Sequence, residues 1–389
     1  MNQDITVVAS APVGSGNPTL FYVVDFGNEQ SLTMRDDGAA PDETAGDGVY
    51  SVSIPGQSAG ELVRYRIESG GNDYPSGDGR TYEGVVVDDP NELSTGLVEM
   101  EWFIPEVDYD SMFDDPLARD VYVDGSVLAI DGVVFDNMRV KIRGGDFARA
   151  NFDKQGLSFD FAGGVELDRP DMVPYAIDEF ALIAERGWTF GRAFTAWNLF
   201  YDAGFPVVNA QHVRVQRNGE FYGVFRFSEK LDGEWRDQND IDGEFYKAEQ
   251  PGFDNPQTSD PDTGFDKRQP DDNDFSNLIE LSSELRSSPS TGKTNYIYDH
   301  VDIANAVNFL AAANIVGHFD SNEKNFYMHL DAETGLWEIL PWDLSNVFGV
   351  SNGGAACQNG DALEVNCLQN EMWQSLSEVP DIDEWCSGA

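Results

Sequence analysis

The sequence predicts an α+β protein whose N-terminal part is all β, and three observations carry that prediction. The first 88 residues break into short runs of alternating apolar residues, bounded by Gly, Pro and Asp at roughly ten-residue intervals. Beyond about residue 120, strand-like runs alternate with stretches of helical spacing. Across 389 residues the hydrophobic content is 41%, with 25 Phe, 14 Tyr and eight Trp, enough to bury a sizeable core despite 70 acidic against 24 basic residues.

Taken in order, the strands expected in residues 1–88 lie in DITVVASAPV, TLFYVVDFG, SLTMRDDG, GVYSVSIPG, ELVRYRIESGG and TYEGVVVDD, a spacing that suits a small immunoglobulin-like β-sandwich. Within it, Asp36, Asp37, Asp42 and Asp47 are interleaved with glycines. A calcium loop is one reading of that stretch. It lacks EF-hand spacing, and a plain turn uses the same residues. Residues 87–97, VVDDPNELSTG, read as a linker into a second region, 89–389. There VVFDNMRVKIRGG and QGLSFDFAGG form a strand pair, and FGRAFTAWNLFYDAG a helix with an apolar stripe at Phe190, Phe194, Trp197 and Tyr201. HVRVQRNGEFYGVFRFSE is a hairpin turning at Asn218-Gly219. Residues 249–274, polar and rich in Pro and Asp, are expected to be an acidic surface insertion. Two helices follow, DFSNLIELSSELRS and DIANAVNFLAAANIVG. The second is capped by Asp302, with apolar positions Ile303, Val307, Leu310 and Ile315.

The net charge of −46 argues against nucleic acid and anionic membranes as partners. Only seven of the 24 basic residues are lysines, and none lies in the first hundred residues; abundant Asp with little Lys suits a protein working in high salt. No apolar run is long enough for a membrane helix. Cys357, Cys367 and Cys386 show no zinc spacing; Cys357 and Cys367 would form a disulfide in an oxidising compartment, with three separate thiols as the alternative. Both ends of the sequence look cut, so an export signal or further domains are expected outside it.

The densest chemistry lies in residues 317–349, GHFDSNEKNFYMHLDAETGLWEILPWDLSNVFG. Phosphoryl transfer needs a carboxylate to take the acceptor proton and metal ligands for the phosphates. Asp320 followed by Asn325, then a hairpin and Asp343, supplies them in that order: Asp320 as base, Asn325 and Asp343 as ligands of Mg²⁺ or Mn²⁺, which prefer hard oxygen donors. Taken singly, His318, Asp320 and Asn325 also fit a helix cap and a turn.

The segments IRGGDFARANFDKQGLSFDF, VRVQRNGEFYGVFRFSEKLD, FYKAE and DSNEKNFYMH with LPWDLSNVFG together resemble the spore coat protein H family of atypical protein kinases, over about residues 120–350. The resemblance implies a divergent kinase-like fold that binds ATP with a divalent ion and phosphorylates Ser or Thr of secreted or surface proteins, in an extracellular or cell-surface setting. It implies that Asp320 is catalytic and that Asn325 and Asp343 hold the metal. Lys154 and Arg143 would face the ATP phosphates, and Glu229 would serve the nucleotide pocket. Three departures stand out: Ser345 occupies the place of a second aspartate, RGGDFAR replaces the family's R-G-N-S-S run, and no glutamate marks the helix 190–204 as a partner for Lys154. A nucleotide-binding pseudokinase acting as a surface or matrix interaction protein is therefore the alternative, and a metal-dependent phosphohydrolase a third reading.

Overall fold

The computed structural model describes residues 3–11, 16–76, 79–89, 94–114, 121–144, 154–184, 190–249, 264–318, 321, 324–348, 350–351 and 354–355. Asp320, the three cysteines and most of the 249–274 stretch lie outside them. The chain divides into two compact units, Met1–Glu185 with Asn209–Lys230, and Arg186–Val208 with Leu231–Ala389.

The first unit begins with two small sheets. One pairs β1 (Ile5–Ser10) with β4 (Val49–Ile54). In the other, β2 (Thr19–Val24) lies between β3 (Gln30–Thr33) and β5 (Leu62–Ser69); β6 (Asn72–Tyr74) and β7 (Glu83–Val86) both pair with β5. Alternate residues of the two sheets meet in one buried core that includes Val7, Leu20, Tyr22, Tyr50, Ile54, Val63 and Ile67. The all-β N-terminal region expected from the alternation is therefore present. In its acidic turn the carboxylates of Asp36, Asp42 and Asp47 lie within 4.8 Å of one another. Asp36 accepts the N–H groups of Gly46, Asp47 and Gly48, and Asp42 accepts that of Gly38, which is turn chemistry.

Seven further strands close into a barrel: β8 (Val98–Phe103), β9 (Val123–Ile130), β10 (Val133–Arg143), β11 (Gly156–Asp160), β12 (Glu179–Ile183), β13 (Ala210–Arg217) and β14 (Glu220–Ser228), in the spatial order β10-β11-β12-β14-β13-β8-β9. A short helix α1 (Glu106–Ser111) follows β8. Among the described barrel strands the β8–β13 contact is parallel and the others are antiparallel. Inward residues such as Trp102, Phe159, Phe180, Phe225 and Phe227 fill the interior, as alternation requires in a small barrel. The β13–β14 turn has Asn218 at φ 51° and Gly219 at φ 79°, the left-handed pair that a two-residue hairpin demands. The N-terminal sheet is fastened to the barrel by a buried cluster of Leu62, Val86, Phe103, Val127, Ala129 and Val134. Beside it, Arg64 donates to Asp136 at 3.0 Å, and the second oxygen of Asp136 accepts the N–H groups of Thr81 and Tyr82.

The second unit carries helices α2 (Arg192–Asp202), α3 (Gly233–Gln238), α4 (Ser276–Arg286), α5 (Thr291–His300) and α6 (Ile303–Val316). They accompany an antiparallel sheet ordered β16 (Phe265–Gln269), β15 (Gly243–Ala248), β17 (Phe326–Asp331), β18 (Trp337–Pro341). A Cβ on Gly243 would fall 2.2 Å from the Leu330 carbonyl oxygen, so the close approach of β15 to β17 requires glycine there. Two expectations need correction. Residues 265–269, taken as part of a surface insertion, pair with β15 and bury Phe265. The buried faces of two helices were also misassigned. In α2 Ala193, Ala196, Trp197 and Phe200 are buried while Phe190 and Tyr201 are exposed, and in α6 Phe309, Ala312, Ala313 and Val316 are buried while Val307, Leu310 and Ile315 are exposed. Among the described residues no helix is long and apolar enough to cross a membrane.

Candidate functional site

In the second unit the site grows out of the end of α6. Asp302 caps its start by accepting the Asn305 N–H at 2.9 Å. Its last turn closes with Gly317 at φ 59°, Gly317 N–H on the Asn314 carbonyl and His318 N–H on the Ala313 carbonyl. That paired arrangement ends helices where a left-handed glycine is available. His318 is thereby turned inward and fully buried, and its Nε2 donates to the Trp342 carbonyl at 3.3 Å. Ser321 Oγ returns to the His318 carbonyl at 2.9 Å.

The hairpin β17–β18 carries the chain away and brings it back. Its register pairs Phe326 with Pro341, so the next residues outward, Asn325 and Trp342, are neighbours, and the Trp342 N–H donates to the Asn325 carbonyl at 3.1 Å. Trp342 is thus held on both sides, its N–H by Asn325 and its C=O by His318, immediately before Asp343. Asn325 (φ 62°) and Asp343 (φ 44°) are both left-handed, a conformation that costs most side chains energy and is enriched at functional positions. Asp343 is exposed, between buried neighbours that fix its loop: Leu344 and Val347 are fully buried, and the Phe348 N–H bonds the Val316 carbonyl at 2.6 Å. Ser345 Oγ donates to Asp343 Oδ1 at 2.6 Å. The sequence order showed only that Ser345 departs from the family pattern; the structure adds that it orients Asp343. Asn325 and Asp343 thus lie at the same end of the β17–β18 hairpin, one just before β17 and the other just after β18. Asp320 falls outside the described residues.

In the first unit Lys154 stands two residues before β11. Its Nζ donates to the Val224 carbonyl and lies 4.1 Å from the centroid of the Phe225 ring. Its Cε is 3.2 Å from where a Cβ would sit on Gly223, so the last glycine of the NGEFYG hairpin makes room for it. Arg143 ends β10 opposite Gly156, with its Cγ 3.0 Å from the corresponding Cβ position there. Strand pairing therefore brings Arg143 close in register to Lys154.

Glu229 follows β14 and is 1% exposed. Its carboxylate accepts the Tyr175 hydroxyl at 2.5 Å, the Asn209 side-chain amide at 2.8 Å and the Asn209 backbone N–H. Burial raises its pKa, and those three donors pull it back only in part. The next residue, Lys230, pairs with Glu179. Burial lowers the Lys230 pKa, Glu179 opposes that, and Arg143 and Lys141 add to the lowering by repulsion. Sequence reasoning missed this gathering of Lys141, Arg143 and Lys230; three cations among 24 in so acidic a chain was the available signal.

Residues 189–384 match the family described as CotH kinase protein. The chain is also 24% identical over 86 residues to the inner spore coat protein H of Bacillus subtilis (strain 168), a stretch covering 22% of this chain and 24% of that protein. It therefore spans about a quarter of the length of the curated relative it matches. With the family match extending over half of its residues, the chain belongs to the CotH kinase protein family.

Proposed function

We propose that this protein is an atypical protein kinase of divergent kinase-like fold that transfers the γ-phosphate of ATP to Ser or Thr of secreted or surface proteins. The observation that carries the reading is the double tie on Trp342. It holds Asn325 and the residue before Asp343 at one end of the β17–β18 hairpin, with both Asn325 and Asp343 on left-handed backbone. Asp320 orients the acceptor hydroxyl and takes its proton. Asn325 and Asp343 hold Mg²⁺ or Mn²⁺, which when bound neutralises charge on the phosphate oxygens. Ser345 and His318 keep Asp343 in place. Lys154 and Arg143 contact phosphate, and Glu229, held by Tyr175 and Asn209, serves the nucleotide pocket. The spore coat name of the relative agrees with work at a surface.

A second reading is favoured by Ser345. A hydroxyl where the family carries another carboxylate leaves one fewer anionic oxygen for metal, which suits a pseudokinase that binds nucleotide without turnover. Incubation with γ-labelled ATP and Mg²⁺ or Mn²⁺ separates the readings. Label on protein supports the kinase, nucleotide binding without transfer the pseudokinase, and release of free phosphate alone a phosphohydrolase.

A further inference from the structure

Within the first unit the N-terminal region meets the barrel at glycines, each at backbone distance. A Cβ on Gly84 would stand 2.8 Å from Val134 Cγ1, one on Gly79 2.9 Å from the Gly163 carbonyl oxygen, and one on Gly219 3.2 Å from the Gly60 carbonyl oxygen. The last contact has the longest reach, because Gly219 is the exposed tip of the β13–β14 hairpin that seats Lys154. Gly60 is a fixed stop for that tip. Its N–H donates to the Val87 carbonyl at 2.7 Å and the Val87 N–H donates to the Glu61 carbonyl at 3.0 Å, tying the turn before β5 to the end of β7. On the barrel side Asn218 bonds both the N–H and the carbonyl of Ile104, at 3.0 and 2.9 Å, and reaches Glu106 of α1 at 3.0 Å. The tip is clamped between the two.

Between tip and lysine the hairpin is bulged. Val215 pairs with Gly223 and the next residue, Gln216, with Phe221, so Tyr222 is passed over in the ladder. A bulge bends its strand and re-aims the residues beside it, and here those are Gly223, Val224 and Phe225, the seat of Lys154. Tyr222 stacks on Phe225 with ring centroids 5.6 Å apart, and its hydroxyl lies 3.3 Å from that of Tyr109 on α1. Tyr109 in turn has the Arg217 guanidinium 3.9 Å from its ring centroid, so tip and bulge share one support. The buried cluster around Phe103 and the Arg64–Asp136 pair already fasten the sheet to the barrel, which leaves geometry, rather than adhesion, as what a contact at an exposed tip contributes. We infer that Gly60 is a positioning residue for Lys154: the N-terminal sheet fixes the hairpin tip, the tip sets the bulge at Tyr222, and the bulge sets the seat of the ammonium group. The consequence for ATP rests on the phosphate role proposed for Lys154.

Reductive methylation of Lys154 on the folded full chain, read by mass spectrometry, tests the inference, with calorimetry of Mg²⁺–ATP beside it. Gly60→Val strains a backbone at φ 79° and adds two methyl groups beyond a Cβ that would already stand 3.4 Å from Gly219 Cα. It should speed labelling of Lys154 at least about threefold, by loosening its seat. ATP affinity should fall about tenfold, and Gly60→Val combined with Lys154→Met should bind within about twofold of Lys154→Met alone, because both changes remove one contact. Val7→Ala, which loosens the N-terminal core away from the hairpin, should label at the wild-type rate. Gly60→Ala, a milder change at the same strained position, serves should Gly60→Val not fold. Wild-type labelling of Lys154 in the Gly60 variants would overturn the inference, as would equal acceleration in Val7→Ala or losses of ATP affinity that add in full. Faster labelling in the Gly60 variants, with ATP affinity unchanged both there and in Lys154→Met, would uphold the positioning and remove the phosphate role instead.

Discussion

Under the proposed function Asp343 and Asp320 should fail in different ways when altered, because one would hold an ion and the other would act on a proton. Asp320→Asn is expected to cut phosphate transfer by at least about 10²-fold, the range of a general base, while ATP affinity at saturating Mg²⁺ stays within about twofold. Asp343→Ala is expected to weaken ATP binding itself, and only when the divalent ion is present. Calorimetry with and without Mg²⁺ checks both, and equal affinities for wild type and Asp343→Ala would remove Asp343 from the metal site. Lys154 allows a sharper trial, since its seat on Gly223 and Phe225 is made of contacts that a methionine can largely keep. Lys154→Met should melt within a few degrees of wild type yet bind ATP about tenfold less tightly, by loss of a charge-assisted bond. An unchanged affinity would confine Lys154 to bridging β11 and β14. At this scale order along the chain sufficed to set Asn325 and Asp343 at the same end of one hairpin, while Asp320 lies outside the described residues. The sequence was silent where the partner is remote, as for His318 reaching Trp342 or Tyr175 meeting Glu229.

Elements were legible where a local rule is strong. The Asn218-Gly219 turn, the Asp302 cap and six of the seven N-terminal strands follow from alternation and turn chemistry, the three-residue β6 being the one missed. The buried faces of α2 and α6 did not: α6 carries apolar residues on more than one side and so has no single stripe, and in α2 the expected stripe shares only Trp197 with the buried set of Ala193, Ala196, Trp197 and Phe200. Strand β16 was hidden by the acidic, proline-rich run before it, and its single buried anchor, Phe265, is too little for a pattern. The β17–β18 hairpin contains a pH-sensitive clasp. His329 is buried, with Nδ1 3.0 Å from Glu338 Oε2 and Nε2 2.9 Å from the Asp242 carbonyl. Burial alone would lower its pKa, but the bonds to Glu338 and Asp242 outweigh that and raise it. Its folded pKa thus lies above the unfolded value of about 6.5. The stability it contributes is complete below that pH and lost as pH rises through the folded value. Urea midpoints for wild type should fall from pH 6 towards pH 8 relative to His329→Gln, and parallel curves over that range would refute the linkage.

For the whole molecule the net charge of −46 outweighs any one contact in setting the response to solvent. The screening length is ~10 Å at 0.1 M salt and about 3 Å at 1 M, so repulsion between carboxylates should largely vanish across that range. Ion pairs such as Arg66–Glu29 and Arg169–Asp171 weaken with salt too, but partly exposed pairs are worth little individually. The melting temperature is expected to climb by several degrees between 0.1 and 1 M KCl. A flat profile would remove the support for the expectation that the protein works in high salt.

The stretch 87–97 looks, from composition alone, like the natural place to divide the chain, yet Arg64 and Asp136 reach across from either side of it. Removing residues 1–96 would strand the Asp136 carboxylate, 2% exposed, without Arg64 or the N–H groups of Thr81 and Tyr82. Breaking a buried pair of this kind costs about 3–5 kcal/mol, a large share of a domain's stability. Arg64→Met should reproduce most of that loss in a denaturant titration; a change under about 1 kcal/mol would show the pair to be dispensable. The N-terminal sheet is accordingly not an interchangeable accessory. A recombination event that delivered the barrel to a new gene would have to bring the sheet with it, or replace Asp136 at the same time, so the two parts are expected to travel through evolution as one inherited block.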